Sequence, residues 1–427
     1  MPNFSIPLSG LTAESTALST IANNLANQNT TGYKDTRVLF SDLFYQNLGT
    51  TGSGDPVQLG AGTQVGSLPA NFTQGSVSST GVPTDVAIQG DGFFVVQQDG
   101  VTSYTRAGNF AVDENNFLVT ASGQDVLGYP AVNGVVNTGE AIAPLQLGAG
   151  TISPPAATSE VQIQTNLDAG ATVGGSDGTF STPVTIYDSL GTAHTLTFTF
   201  TKTAANTWGY SLSIPSADLN PVGGPPPVPQ SGILATGTLT FDGNGNLIGP
   251  VDSHGNLTNI TGIKATSLAD GANDLTFDWD LLNGTTPVIT QVTAPSSTSS
   301  TQQDGASSGT LTNFSIGADG TITGSFSNGK TAALGQVALA GFANDEGLER
   351  VGNTDYTQTL ASGQAVIGTP STGGRGSLAG GSLELSNVDI STEFANLIVA
   401  QRAFEADAKA VTTFDQITQD TINLKQS

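Results

Sequence analysis

The chain has 427 residues, only 11% of them charged, and its 35 acidic against 11 basic side chains leave a net charge of −24. Without clustered Lys and Arg it offers no surface for nucleic acid or an anionic bilayer, and without Cys it has no disulfides, thiolate metal sites or Cys nucleophiles. No apolar run is long enough to span a membrane, and Met1–Pro7 has neither a basic nor an apolar stretch, so no cleaved secretory signal is expected.

The first predicted element is a helix. From Leu8 to Asn29 apolar positions recur at helical spacing: Leu8, Leu11, Leu18, Ile21, Ala22 and Leu25. Leu11, Leu18 and Leu25 are spaced by seven and mark one stripe. Pro7 suits the first turn, and Gly32 can end the helical stretch. An extended arm follows. The chain then reads as β: Val86–Ile88, Phe93–Val96, Val184–Tyr187 and Thr195–Thr201 have strand composition or alternation. Turn signals such as Gly90-Asp91-Gly92, Asp99-Gly100, Asp188-Ser-Leu-Gly191, Asp242-Gly243 and Asn328-Gly329 separate them. Turns at about ten-residue intervals predict sandwiches or barrels. Three low-complexity runs, 148–155, 221–229 and 295–303, suggest boundaries or exposed loops. At the far end Ile390, Phe394, Leu397, Phe404, Ala408, Val411, Phe414, Ile417 and Leu424 form a second stripe. Asp389 is its expected N-cap, and Glu393 in the first turn favours the helix dipole.

The predicted fold is therefore mostly β and multidomain, with sandwich or barrel-like domains and N- and C-terminal helices forming a coiled-coil-like assembly domain. The expected division is 1–30 with 385–427 for the helices and 31–75 with 360–384 for an arm. An inner β domain takes 76–145 with 301–359, and 146–300 forms an inserted outer β domain.

Candidate chemistry is sparse. Gly174-Gly-Ser176-Asp-Gly178 matches a nucleophile elbow, but it leads into a strand-like run where that motif needs a helix. Asp242-Gly-Asn244-Gly-Asn246 starts like a calcium loop, yet Leu247 and Ser253 stand where Gly and Glu are required, so a hairpin turn is expected. His194 and His254 lie in no catalytic context, and Trp208 and Trp279 make no sugar platform. No catalytic residue, metal ligand or cofactor is assigned. The terminal stripes are narrow, with long polar faces around them, which suits a helical partner better than a broad core. They can pair with each other or with neighbouring copies. The residues assigned to subunit assembly are Leu8, Leu11, Leu18, Ile21, Leu25, Ile390, Phe394, Leu397, Phe404, Val411 and Ile417. Each helix alone would expose its seam, so fraying in the monomer is expected.

Several motifs carry a family resemblance. Leu8-Ser-Gly-Leu11, Ile21-Ala-Asn-Asn-Leu-Ala-Asn27 and Thr31-Gly-Tyr-Lys34 resemble the shared N-terminus of the bacterial flagellar rod and hook proteins. Gln74-Gly75, Asp85-Val-Ala-Ile88, Gly92-Phe-Phe94 and Tyr104-Thr-Arg-Ala-Gly108 are similar to the family's central signature. Leu385-Ser-Asn-Val-Asp389 and Ile398-Val-Ala-Gln-Arg-Ala-Phe404 resemble its closing helix. Asn116 stands where the family usually has Gly, and Pro7 suggests a later helix start. The long insert, with Val184-Thr-Ile-Tyr-Asp-Ser-Leu-Gly-Thr-Ala-His194, is similar to hook members; distal rod members are shorter. The resemblance implies a non-enzymatic subunit, exported unfolded through the flagellar type III apparatus, that polymerises into a curved tube joining rod to filament. Implied partners are other copies of itself, the rod, hook-cap and hook–filament junction proteins and the export apparatus, with no nucleic acid, membrane insertion or cofactor. The implied location is extracellular, in the hook of the basal body. Bending is expected about Gly-rich joints near 146–150 and 49–62. The other readings are a distal rod protein within the family and a monomeric β-rich surface adhesin outside it.

Overall fold

The computed structural model describes residues 5–147, 152–222 and 227–426. The Pro-rich run at 221–229 and the joint expected near 146–150 lie partly outside them. The chain separates into two compact units, the first comprising 1–149, 313–324 and 331–427, the second 150–312 and 325–330.

The first unit begins with α1 (Ser5–Ala26), with Pro7 in its first turn. The expected later start is not seen: Pro needs no N–H there, so the helix runs through it. Gly32 takes φ +67°, and a Cβ there would strike the backbone of Arg106 and Ala107, so the chain leaving the helix needs Gly at this point. Strands β1 (Leu39–Asp42), β2 (Gln46–Thr50), β3 (Pro56–Leu59) and β4 (Thr63–Ser67) follow, with β1 paired to β4 and β2 to β3. They form one interrupted hairpin, so the stretch expected to be a joint at 49–62 is instead a β-ribbon. Its Gly residues serve the turn; Gly54 has φ +90°.

The centre of this unit is the strand Phe93–Gln98, paired on one side with Val101–Thr105 and on the other with Asp125–Val132 and Leu339–Gly341. Its run Phe93-Phe-Val-Val96 is buried on both faces. Phe94 and Val96 join a cluster with Val86, Ile88, Phe110, Leu118, Leu145 and Leu339. Phe93 and Val95 face the opposite way, to Tyr104, Leu127 and Tyr356. The unit closes with α2 (Ile390–Gln426).

The second unit is a sandwich. One sheet is an antiparallel meander, Thr179–Tyr187, Ala193–Ala204, Thr207–Ser213, Ile233–Phe241 and Leu247–Gly249. The other is built about Glu160–Asp168, which pairs in parallel with Leu275–Asp280 and Ile289–Val292. Ser297–Gln303 lies antiparallel along the opposite edge of Glu160–Asp168. The run 295–303, expected to be a boundary or an exposed loop, is thus a strand from Ser297 onward; its Thr and Ser side chains suit an edge facing water. Both sheets supply one core, in which Phe198 meets Trp279 edge to face at 4.9 Å.

Candidate functional site

The two ends of the chain meet within the first unit. Asp389 caps α2, its Oδ1 accepting from the Ser391 and Thr392 amides at 2.8 and 3.2 Å. These bonds hold its carboxyl below the usual carboxylate range. The helices run antiparallel in one register. Gly10 backs on the Asp407 carboxylate, Ala17 shares a buried cluster with Ala400, and Asn24 Nδ2 reaches Glu393 Oε1 at 3.4 Å. Each step up α1 is one step down α2, so Ser5 stands opposite Thr412. The contact face of α1 is Ala13, Ala17, Ile21 and Asn24, all buried. Small side chains let the axes approach closely; a Cβ at Gly10 would collide with Asp407.

This intramolecular face shares Ile21 with the residues expected to serve subunit assembly. Of the residues assigned to assembly, only Ile21 is buried, at 9% exposure. Leu11, Leu18, Leu25, Leu397, Phe404 and Val411 are half-buried. Leu8, Ile390, Phe394 and Ile417 stay exposed. Leu18, Leu25 and Leu397 flank the Ala17–Ile21–Ala400 cluster. The expected fraying also gives way to continuous helices, because the small-residue seam supplies an intramolecular partner. It does not cover everything: Phe394 and Ile398, one turn apart, are 51% and 59% exposed. Ile417 and Ile422 lie on the part of α2 that extends past Thr412, with no described α1 residue opposite.

Electrostatics do not favour this pairing at neutral pH. Glu14 has its pKa raised by burial and by nearby Asp407. Glu393, buried at the head of α2, is raised by burial and by Asp35 and Asp389, with the Asn24 hydrogen bond acting the other way. Asn24 is a hub: it accepts from the Thr36 amide at 3.0 Å and donates to Thr36 O at 2.9 Å, and Tyr33 donates to its Oδ1 at 3.1 Å.

Beneath the helices lies a buried charge triad. Lys34 Nζ is 2.6 Å from Glu384 Oε1, which also accepts from the Gly75 amide at 2.8 Å. Arg106 Nη1 stands 3.5 Å from Glu384 Oε2 and donates to Gly90 O at 2.9 Å. Burial lowers the Lys34 pKa, and Glu384 opposes that shift.

Sequence reasoning missed the ribbon. Phe44 is 95% exposed, and Phe40, Tyr45, Leu48 and Leu59 are also exposed. Its signal was the apolar Leu43-Phe-Tyr45 run leading into Gly-rich turns. The ribbon leans on α1, where Ser9 Oγ accepts from the Thr63 amide at 3.1 Å.

Candidate catalytic features resolve into turns. Asp242 Oδ1 accepts from the Asn244 and Asn246 amides at 2.9 and 2.8 Å, as a hairpin turn requires. Ser176 sits in a single 3-10 turn followed by a strand. An open cavity of about 630 Å³ beside the end of α1 is lined mainly by amides and hydroxyls. Its two charged residues are engaged, Arg350 with Lys34 O at 2.6 Å and Asp355 with Gln124 at 2.9 Å. No helix among the described residues is long and apolar enough to cross a membrane. Among the described residues one group could hold a metal ion: Asp188, His194 and Asp270 in the second unit.

Comparison with known proteins gives matches along the whole chain. Residues 6–34 match the flagella basal body rod protein family, and 87–167 the flagellar hook protein FlgE/F/G D1 domain. Residues 136–306 match the flagellar basal body protein FlaE D2 domain, and 379–424 the flagellar basal body rod FlgEFG protein C-terminal family. The flagellar hook protein FlgE of Salmonella typhimurium is 36% identical, over 99% of this chain and 100% of its own. That of Escherichia coli is 34% identical over 99% and 100%. That of Treponema pallidum is 34% identical over 98% of each. A solved Helicobacter pylori flagellar hook protein FlgE2 aligns over 72% of this chain and 100% of its own, with 16% identity and a TM-score of 0.49.

Proposed function

The chain belongs to the flagellar hook protein family, as a structural subunit of the bacterial flagellar hook, and from that premise we propose that its terminal helices are the assembly core of a helical polymer. The observation that carries this is the uncovered apolar surface of α2. Phe394 and Ile398 lie outside the contact with α1, and Ile417 and Ile422 extend past it. Fully burying a wholly exposed Phe or Ile is worth about 1.5–3 kcal/mol, and each of these four is about half exposed. Contacts between different patches of identical subunits build an open helical polymer when the rotation between copies does not close a ring, and a tube needs that case.

In this reading residues 1–30 with 385–427 line the tube, 31–75 with 360–384 form the arm, 76–145 with 301–359 the inner β domain and 146–300 the outer one. The tube is a curved universal joint between rod and filament, outside the cell. The subunit reaches it unfolded, through the flagellar export apparatus and without a cleaved signal. The rod, hook-cap and hook–filament junction proteins are its neighbours at either end. Its role is mechanical, and no catalysis is needed. The distal-rod and adhesin readings have no observation in their favour.

Removing residues 413–427 tests the assembly core. The truncated chain should keep α1 paired to the remaining α2, retain its β-sheet circular dichroism and form no tubes under the electron microscope. Normal tubes from it would refute the proposal.

A further inference from the structure

The second unit contains a polar cluster that assembly by the helices does not use. His194 lies in the inward-facing row His194, Leu196, Phe198 and Phe200 of the strand Ala193–Ala204, and is 5% exposed. Its Nδ1 is 3.0 Å from Asp218 Oδ2. Its Nε2 is 3.2 Å from Asp188 Oδ2 and 3.9 Å from Asp270 Oδ2. Asp188 is fully buried, and its Oδ1 accepts from the Leu190 and Thr192 amides at 2.8 and 2.9 Å, which aims Oδ2 at the ring. One donor atom each from Asp188, His194 and Asp270 lies within 4.8 Å of the other two.

Three carboxyl groups, from Asp188, Asp218 and Asp270, face one imidazole. Among the described residues no Lys or Arg forms an ion pair with any of the three. His194 is the one basic group these carboxylates face among the described residues, and a divalent cation would add positive charge where they converge.

We propose that Asp188, His194 and Asp270 bind one divalent transition-metal cation of the zinc type, with Asp218 orienting the imidazole. A carboxylate on the second ring nitrogen is the usual partner of a metal-binding His, since it fixes the tautomer that leaves Nε2 free to coordinate. Zinc bonds to N and O of about 2.0–2.2 Å place neighbouring ligands of a tetrahedron about 3.3–3.5 Å apart. The 3.2 Å separation is close to that value. The 3.9 Å separation closes with a shift of about half an ångström by Asp270, whose side chain is 26% exposed on a turn. Water takes the remaining position. An imidazole ligand and so few oxygens disfavour magnesium and calcium.

The cation would join three pieces of the unit, the turn after Tyr187, the 216–218 turn and the 268–271 turn. Backbone bonds already link the last two: the Ala269 amide donates to Asp218 O at 2.9 Å, and the Asn220 amide to Ser267 O at 2.8 Å. The ligands come together only on folding, so binding stabilises the folded unit.

The chain's two Trp residues, Trp208 and Trp279, both lie in this unit's core, so their emission reports on it selectively. The full chain, stripped with EDTA, is titrated with ZnCl2 alone. Calorimetry should show one equivalent bound. The tryptophan-monitored melting temperature should rise by about 5–10 °C at a hundredfold excess over Kd. Asp270→Asn, on an exposed turn, should keep the metal-free tryptophan transition and weaken binding at least tenfold. His194→Gln should abolish binding, and His254→Gln should leave it unchanged. Absence of heat and of any melting shift in the unaltered chain overturns the site, as does undiminished affinity in Asp270→Asn. An equal shift with MgCl2 overturns the choice of cation.

Discussion

Lys34, Arg106 and Glu384 show what a buried charge does in this chain. All three are at most 1% exposed, and Glu384 is the one carboxylate facing both cations. Glu384→Ala would strand two buried positive groups, and breaking a buried pair in this way costs about 3–5 kcal/mol. Hydrogen exchange at the amides of Phe93–Gln98 should show a loss of that size; a loss under about 1 kcal/mol would mean that the triad relaxes into water. Lys34 and Arg106 stood within recognisable motifs of the sequence, but their partnership with Glu384 was not legible. The pairing spans 350 positions for Lys34, and neither periodicity nor spacing reaches that far. The carboxylates facing His194 were not legible for the same reason, because Asp218 and Asp270 come to it through the fold. One local signal did exist, the alternation that sets His194 in register with three buried apolar residues.

At the scale of elements, the helices themselves were readable and their contact was not. The seven-residue Leu spacing located α1, and a capping Asp with an apolar repeat located α2. The antiparallel pair then buried Ala13, Ala17 and Ile21 in preference to the Leu stripe. Hydrophobicity ranks Leu above Ala, whereas close approach of two backbones ranks Ala above Leu, and here approach decides. Within the stretch expected to be an arm, the run read as a joint at 49–62 belongs to the ribbon, because Gly-rich composition does not separate a joint from a turn. Acid should strengthen the helix pair. Glu14 and Glu393 have folded pKa values above their ordinary ones, so their contribution is complete below about pH 4.5 and is lost as pH rises through the raised values. Helix melting followed at 222 nm should therefore occur at higher temperature at pH 4.5 than at pH 7.5. The reverse order would show that burial and the neighbouring acids do not raise these two carboxyls.

For the molecule as a whole, charge and topology dominate. Copies carrying −24 repel one another, and about 0.1 M salt screens that repulsion beyond roughly 10 Å. Polymer growth followed by light scattering should be faster in 0.3 M than in 10 mM NaCl, and a rate indifferent to salt would place the acidic surface away from the subunit contacts. The mostly-β architecture was legible in the turn spacing, but the parallel pairing of Glu160–Asp168 was not, since parallel partners are distant in sequence. The ion pair between residues 34 and 384 has a last implication. A chain cut short anywhere before residue 384 lacks the carboxylate that neutralises Lys34 and Arg106, as well as α2, the partner of α1. Such a fragment cannot seal its base, however well its sandwich folds. A copy terminated early would leave Lys34 and Arg106 without their shared carboxylate and α1 without its helical partner.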